Sequence, residues 1–173
     1  MRVRTLAILG FFLSLMMLSS CHSSKKSVNE RHHAPQEVVI HKKASQHRRA
    51  IVEEAYTWLG TPYLYAGQEK GVGTDCSGMV MIIYESATGE KIPRNSAKQA
   101  EFCIPLSADE VNVGDLVFFA TGKDPSKVSH VGIILDDDNF IHASTSKGVV
   151  ISKLSSDYYR RTFMMFGKIP SIK

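Results

Sequence analysis

The sequence predicts an α+β domain in which helices come first along the chain and the strands of an antiparallel sheet follow. Up to about residue 102, apolar residues recur at helical spacing, whereas after residue 115 they form short β-rich runs separated by turn residues. The 173 residues suffice for one domain of ordinary size. Three cysteines cannot hold a small disulfide scaffold together, so a packed core must stabilise the fold.

The first 20 residues are predicted to be a lipoprotein signal peptide. A short basic segment precedes an almost wholly apolar run over residues 6–18, which is too short to span a bilayer as a mature helix. Leu18-Ser19-Ser20-Cys21 resembles the bacterial lipobox, which implies cleavage before Cys21 and lipidation of Cys21. Several acyl chains would give a stable anchor. His22 stands where an inner-membrane retention signal would favour Asp, so we expect the periplasmic face of the outer membrane. The alternative is a plain signal peptide.

Residues 21–46 are predicted to be a flexible polar tether, because they hold too few apolar side chains to offset the entropy of ordering. Residues 1–50 carry nine of the 21 Lys and Arg residues but only two of the 17 acidic residues. The rest of the chain therefore has a net charge of −3, which argues against nucleic-acid binding. Five of the seven histidines occur in or beside the tether at irregular spacing, and we predict no metal site there.

Three helices are predicted at the start of the folded domain, which we assign to residues 47–173. Ser45 is placed to cap the first helix, and Gly60 stops its periodic pattern. Residues 76–87 are apolar almost all round, which is typical of a central buried helix. A short polar helix is expected over residues 95–102.

Five short β-rich runs follow, and each is bounded by turn residues. Their predicted ranges are 116–120, 129–135, 139–143, 149–153 and 163–169. The acidic turn over residues 136–139 joins the second and third runs like a tight hairpin. The predicted sheet is therefore antiparallel, with these two strands side by side.

Cys76 is the strongest candidate for a chemically active residue. It opens the buried helix behind Asp75, a good N-cap, and the positive end of the helix dipole would favour its thiolate. A neighbouring base would assist an unactivated thiol, and the folded part offers His130 and His142. The predicted hairpin places these histidines near each other. One would act as the base and the other would orient it.

Five motifs in the right order resemble those of the NlpC-type cell-wall peptidases. They are Thr61-Pro62-Tyr63 with Ala66-Gly67, Thr74-Asp75-Cys76-Ser77-Gly78, Val113-Gly114-Asp115-Leu116, Ser129-His130-Val131-Gly132-Ile133 and Phe140-Ile141-His142-Ala143-Ser144. The resemblance covers residues 51–169 and implies a papain-like α+β fold that hydrolyses peptide bonds in peptidoglycan stem peptides. The lipoprotein layout is similar to that of the outer-membrane murein endopeptidases of this family.

The resemblance also implies site residues. The nucleophile, the general base and the polar residue that orients the base would be Cys76, His130 and His142. Tyr63 matches a tyrosine that borders the active site. Asp75 and Ser77 flank the nucleophile and are expected to contact the substrate or to hold the helix start. No cofactor is expected, and we predict a monomer.

Two residues depart from the family pattern. Ala66 stands where a glycine is common, which puts the shape of the following loop in doubt. Cys103 matches no family motif, and we expect it to be a small buried residue rather than the disulfide partner of Cys76.

The predicted function is that of a peptidoglycan endopeptidase, and three questions stay open. The bond cut is either the D-alanyl–diaminopimelate cross-link or the γ-D-glutamyl–diaminopimelate bond within a stem. The alternative function is that of a catalytically silent cell-wall-binding lipoprotein of the same fold. A zinc site with Cys76 and the two histidines as ligands is chemically conceivable, but no fourth ligand supports it.

Overall fold

The structure is a computed structural model that describes residues 45–173. The predicted signal peptide, Cys21 and all but the last two residues of the predicted tether lie outside the described residues. None of the helices in residues 45–173 combines the length and the hydropathy that a membrane span requires.

Four α-helices form within residues 45–173, and the first three match the predicted ones. They are α1 (Gln46–Tyr56), α2 (Cys76–Thr88), α3 (Ser96–Phe102) and α4 (Asp157–Thr162). The side chain of Ser45 accepts a hydrogen bond from the backbone N–H of Arg48, so Ser45 caps α1 as predicted. Gly89 ends α2 in the left-handed region, with a φ of 76°. Helix α4 was not predicted.

All five predicted strands form, and three shorter ones accompany them. The strands are β1 (Gln68–Glu69), β2 (Gly73–Thr74), β3 (Ile104–Leu106), β4 (Leu116–Phe119), β5 (His130–Ile134), β6 (Asn139–Ser144), β7 (Gly148–Lys153) and β8 (Phe163–Lys168). Strands β1 and β2 form a small ribbon. The others form one antiparallel sheet in the order β3-β8-β4-β5-β6-β7, so the predicted α+β architecture is confirmed.

The sheet is apolar on both faces. On one face, α1 and α2 bury the main core, which includes Trp58, Ile83 and Ile133. This position explains why α2 is apolar almost all round. On the other face, four fully buried side chains form a second, smaller cluster: Val117, Phe119, Ile134 and Phe140. Tyr159 of α4 packs against this second cluster.

The two ends of the described chain meet beside a buried ion pair. Arg48 Nη1 donates to Asp115 Oδ1 at 2.8 Å and to the Val113 carbonyl at 2.9 Å, and both charged side chains are buried. Arg48 Nε also donates to the Lys173 carbonyl at 3.2 Å. Ser45 Oγ donates to the same carbonyl at 2.5 Å. Helix α1 is thereby held to both β4 and the last residue of the chain.

Candidate active site

Cys76 is the first residue of α2, and the residue before it caps the helix. The Asp75 carboxylate accepts a hydrogen bond from the Gly78 backbone N–H at 2.7 Å, and the Asp75 carbonyl accepts one from Met79. The backbone N–H of Val131 on strand β5, one residue after His130, is close enough to Cys76 to act on the pKa of its thiol. Helix α2 therefore presents the predicted nucleophile to the strand that carries the predicted base.

The pKa of the Cys76 thiol differs from the sequence-based expectation. Burial raises it, and the negative charge of Asp75 raises it further. Hydrogen bonds from the N–H groups of Val131, Ser77 and Cys76 itself act in the opposite direction but do not outweigh these effects. The expected stabilisation of the thiolate by the helix dipole is thus overcome by desolvation, and the resting residue is a thiol.

His130 and His142 lie in direct contact on neighbouring strands. His130 Nε2 and His142 Nδ1 are 2.9 Å apart, and the two rings meet edge to face. The antiparallel pairing of β5 with β6 brings them together on one face of the sheet, as the predicted hairpin required. Gly132 lets the Phe140 ring pack against β5, since a Cβ atom there would lie 2.5 Å from that ring.

Two hydroxyl groups complete the surroundings of His142. Its Nε2 atom lies 2.9 Å from Ser152 Oγ of β7 and 3.0 Å from the Tyr159 hydroxyl of α4. The ring also stacks on Phe140 at a centroid distance of 4.9 Å. His142 is therefore held at both ring nitrogens and on one face.

Both histidines are neutral at physiological pH. Burial lowers the pKa of His130 to about 4. Burial, together with the charge of His130, lowers the pKa of His142 to about 3. A neutral imidazole beside a neutral thiol can accept the thiol proton when the sulfur attacks.

Asp75 and Ser77 both interact with an arginine that the sequence analysis did not single out. Arg94 Nη2 donates to Asp75 Oδ2 at 2.8 Å, and Nη1 donates to Asp75 Oδ1 and Ser77 Oγ, each at 2.9 Å. Nη2 also reaches the Gly67 carbonyl at 3.1 Å. Burial alone would raise the pKa of Asp75, but hydrogen bonds from Arg94 and the Gly78 backbone outweigh it and lower the pKa. Of the two predicted roles, these contacts serve the helix start.

Tyr63 is on the segment that pairs with Thr74, and both Tyr63 and Cys76 pack against the main core. Burial raises the pKa of its phenol, and electrostatic interactions with Cys76 and Asp75 raise it further. The neighbouring Ala66 has a φ of 59°, in the left-handed region that favours glycine. This conformation explains why a glycine is common at this position.

Cys103 is buried in the main core, as predicted, and both it and Cys76 are free thiols. Burial raises the pKa of the Cys103 thiol to about 12. Within residues 45–173, no group of three or more His, Cys, Asp or Glu side chains is arranged to hold a metal ion.

Three residues of the site escaped the sequence analysis: Arg94, Ser152 and Tyr159. Arg94 lies in a loop 19 residues from its partner Asp75. Ser152 is part of the alternating pattern of a predicted strand, and no sequence motif indicates a functional role for it. The available signal for Tyr159 was a pair of tyrosines among polar residues, shortly after an unrecognised helix start at Ser156.

Comparison with known proteins agrees with the motifs. The profile of the NlpC/P60 family matches residues 60–168. The probable endopeptidase NlpC of Escherichia coli is 39% identical over 117 residues, which are 68% of this chain and 75% of that protein. The murein DD-endopeptidase MepS/murein LD-carboxypeptidase of Escherichia coli is 35% identical over 113 residues, which are 65% of this chain and 58% of that protein.

A solved structure has the same fold. The crystal structure of an NlpC/P60 family protein from Bacillus cereus superposes with a TM-score of 0.65 at 31% identity, covering 70% of this chain and 40% of that one. The matched segment contains the predicted nucleophile and both predicted histidines. The family suggested by the five motifs is thus confirmed, and this chain belongs to the NlpC/P60 family of endopeptidases and related hydrolases.

Proposed function

We propose that this protein is a peptidoglycan endopeptidase in which Cys76 is the nucleophile, His130 the general base and His142 the residue that orients the base. The observation that carries this proposal is the contact of 2.9 Å between His130 Nε2 and His142 Nδ1, next to the strand position whose N–H acts on the pKa of the Cys76 thiol. The family membership and the named endopeptidase relatives support the reaction class.

The geometry supports a thiol mechanism with two stages. With its Nε2 atom bound to His142, His130 has Nδ1 left for the thiol. Nδ1 takes the thiol proton as the sulfur bonds to the carbonyl carbon of the peptide. His130 then gives that proton to the departing amine, and a thioester remains on Cys76. Water activated by His130 hydrolyses the thioester, which releases the acid and restores the thiol.

The start of α2 supplies donors for the negative charge that develops on the attacked carbonyl oxygen. Since the Asp75 carboxylate and carbonyl accept from Gly78 and Met79, the first two N–H groups of the helix are turned toward the sulfur. The N–H groups of Cys76 and Ser77 are therefore the proposed oxyanion donors. Arg94 keeps Asp75 and Ser77 in place, and Tyr63 borders the substrate.

The substrate is a peptide bond in peptidoglycan stem peptides. The name of the MepS relative includes murein DD-endopeptidase. For this chain we therefore propose cleavage of the D-alanyl–diaminopimelate cross-link rather than of the γ-D-glutamyl–diaminopimelate bond. The protein is further proposed to be a monomeric outer-membrane lipoprotein, with a signal peptide over residues 1–20 and a lipidated Cys21. Residues 21–46 would then be the tether that lets the domain reach the cell wall.

The test is digestion of purified sacculi and of defined cross-linked muropeptides, with products identified by mass spectrometry. Wild-type protein should release new peptide ends, and Cys76→Ala and His130→Ala should each abolish turnover, because the nucleophile and the base act as one unit. His142→Ala should retain more activity. Cys103→Ala is the matched control for loss of a thiol. Binding of sacculi without release of any product would favour the silent wall-binding alternative.

Anchoring is tested separately. Cys21→Ser should move the protein out of the membrane fraction while leaving its hydrolytic activity unchanged. If Cys21→Ser stayed with the membranes after washing without detergent, the lipobox interpretation would be wrong.

A further inference from the structure

We propose that Ser152 and Tyr159 are positioning residues that act on the catalytic base through His142. This inference rests on the proposed function, in which His142 orients His130. It assigns a role to two hydroxyl groups that come from different elements, β7 and α4, and converge on a single ring nitrogen.

The environment of His142 leaves its ring little freedom. The side chain is 1% exposed, stacks on Phe140 and meets the Tyr159 ring edge to face at a centroid distance of 5.3 Å. Its Nδ1 atom is committed to His130, so Nε2 can be satisfied only by groups buried with it. Ser152 and Tyr159 supply those groups at 2.9 and 3.0 Å.

The direction of the hydrogen bonds follows from the proposed role of His130 as the general base. To take a proton on Nδ1, His130 must carry its own proton on Nε2 and donate it to His142 Nδ1. His142 then carries its proton on Nε2, and that proton needs an acceptor. A hydroxyl oxygen can accept it, whereas an apolar neighbour would leave a buried N–H group unpaired. The two hydroxyls thus provide the acceptor that the base-supporting tautomer of His142 requires.

Neutral hydroxyls suit this place better than a carboxylate would. Tyr159 and His142 both pack against Phe140, and Tyr159 also contacts Phe119. A permanent negative charge among these rings would carry a large desolvation cost. Hydroxyl groups provide a hydrogen-bond partner for His142 Nε2 and keep the second cluster uncharged.

The experiment compares substitutions that differ by the hydroxyl group alone, in the full chain. Tyr159→Phe keeps the ring and removes the hydroxyl. Ser152→Thr keeps a hydroxyl group on a β-branched side chain. Ser152→Val has the shape of that threonine but lacks the hydroxyl group. Tyr158→Phe is the matched control, because Tyr158 is the exposed neighbour. Each variant is made with His142 present and with His142→Ala.

Two quantities are measured for every variant: kcat/KM on a cross-linked muropeptide and the rate at which iodoacetamide alkylates Cys76 as a function of pH. Peptide mass spectrometry assigns the alkylation to Cys76. With His142 present, Tyr159→Phe and Ser152→Val should each reduce kcat/KM roughly 2- to 10-fold, the value of one buried hydrogen bond. Both should move the alkylation profile to higher pH. Ser152→Thr and Tyr158→Phe should match the wild type.

The His142→Ala background separates positioning from a general structural effect. There the two hydroxyls have no nitrogen to hold, so their removal should cause no further loss of either quantity. An equal loss in both backgrounds, or wild-type behaviour of the protein carrying both Tyr159→Phe and Ser152→Val, would overturn the proposal. If wild-type protein cleaves no muropeptide, the proposed function fails, but the alkylation profiles still decide whether the hydroxyls act on Cys76 through the histidines.

Discussion

Acidification should destabilise this protein through the pair of His130 and His142. The pKa values of about 4 for His130 and about 3 for His142 lie below the ordinary histidine value of 6.5. Between these values the unfolded chain binds protons that the folded protein excludes. The folded state is therefore favoured above pH 6.5, and this advantage is lost as the pH falls through 6.5 toward the folded pKa values.

The size of the effect follows from those shifts. At about pH 5, nearly all histidines of the unfolded chain are protonated, whereas the folded pair remains almost entirely neutral. Relative to about pH 8, this difference lowers the free energy of unfolding by about 2 kcal/mol for each histidine. The pair together should therefore remove about 4 kcal/mol from the free energy of unfolding over this range. Such a loss is a large fraction of the total stability of an ordinary domain.

Urea unfolding, followed by circular dichroism at a series of pH values, measures this loss directly. Replacing both histidines, as His130→Gln and His142→Gln together, should flatten the pH dependence by about 4 kcal/mol. The exposed His47, replaced by Gln, is the control for removal of a histidine outside the pair. If the wild type and the double variant lost stability equally on acidification, the histidines would not be held neutral in the folded protein and the reasoning would be refuted.

Three further predictions concern neighbouring features. Arg48→Met should lower the free energy of unfolding by about 3–5 kcal/mol, because it leaves Asp115 buried without its partner; a urea midpoint equal to that of wild type would contradict this. Ala66→Gly should raise the free energy of unfolding by about 0.5–1 kcal/mol, since relief of the positive φ exceeds the added chain entropy, and a lower thermal midpoint would count against it. Arg94→Lys should reduce kcat/KM roughly tenfold, because lysine keeps the charge but cannot hold both oxygens of Asp75; unchanged kinetics would exclude a role for this contact in shaping the site.

The sequence predicted those parts of the fold that depend on local pattern. Helix α2 and the five longer strands have clear apolar periodicity and turn residues at their ends, so they could be recognised without tertiary information. The contact between His130 and His142 was predictable because a short acidic turn fixes the pairing of β5 with β6. The histidine pair of the candidate site is therefore encoded within a stretch of 13 residues, from His130 to His142.

The rest depends on contacts between distant segments. Helix α4 has six residues and no side-chain hydrogen bond at its N-cap, so helix propensity alone does not explain it. The packing of Tyr159 against the second cluster determines where this helix forms. Strand β3 contains Pro105 and exists because β8 pairs with it. The burial that raises the pKa of Cys76 also depends on such contacts, because a helix start is visible in a sequence pattern whereas the depth of burial is not.

The meeting of residues 45 and 173 bears on how this fold is used in evolution. Ser45 and Arg48 both bind the carbonyl of Lys173, so the segment that enters α1 and the segment that follows β8 lie side by side. A fold with adjacent ends can be added to a larger polypeptide without pulling its own elements apart. The Bacillus cereus relative illustrates such modular use, since the shared domain makes up only 40% of that chain. Recombination could thus attach this domain to new partners while its interior stays unchanged.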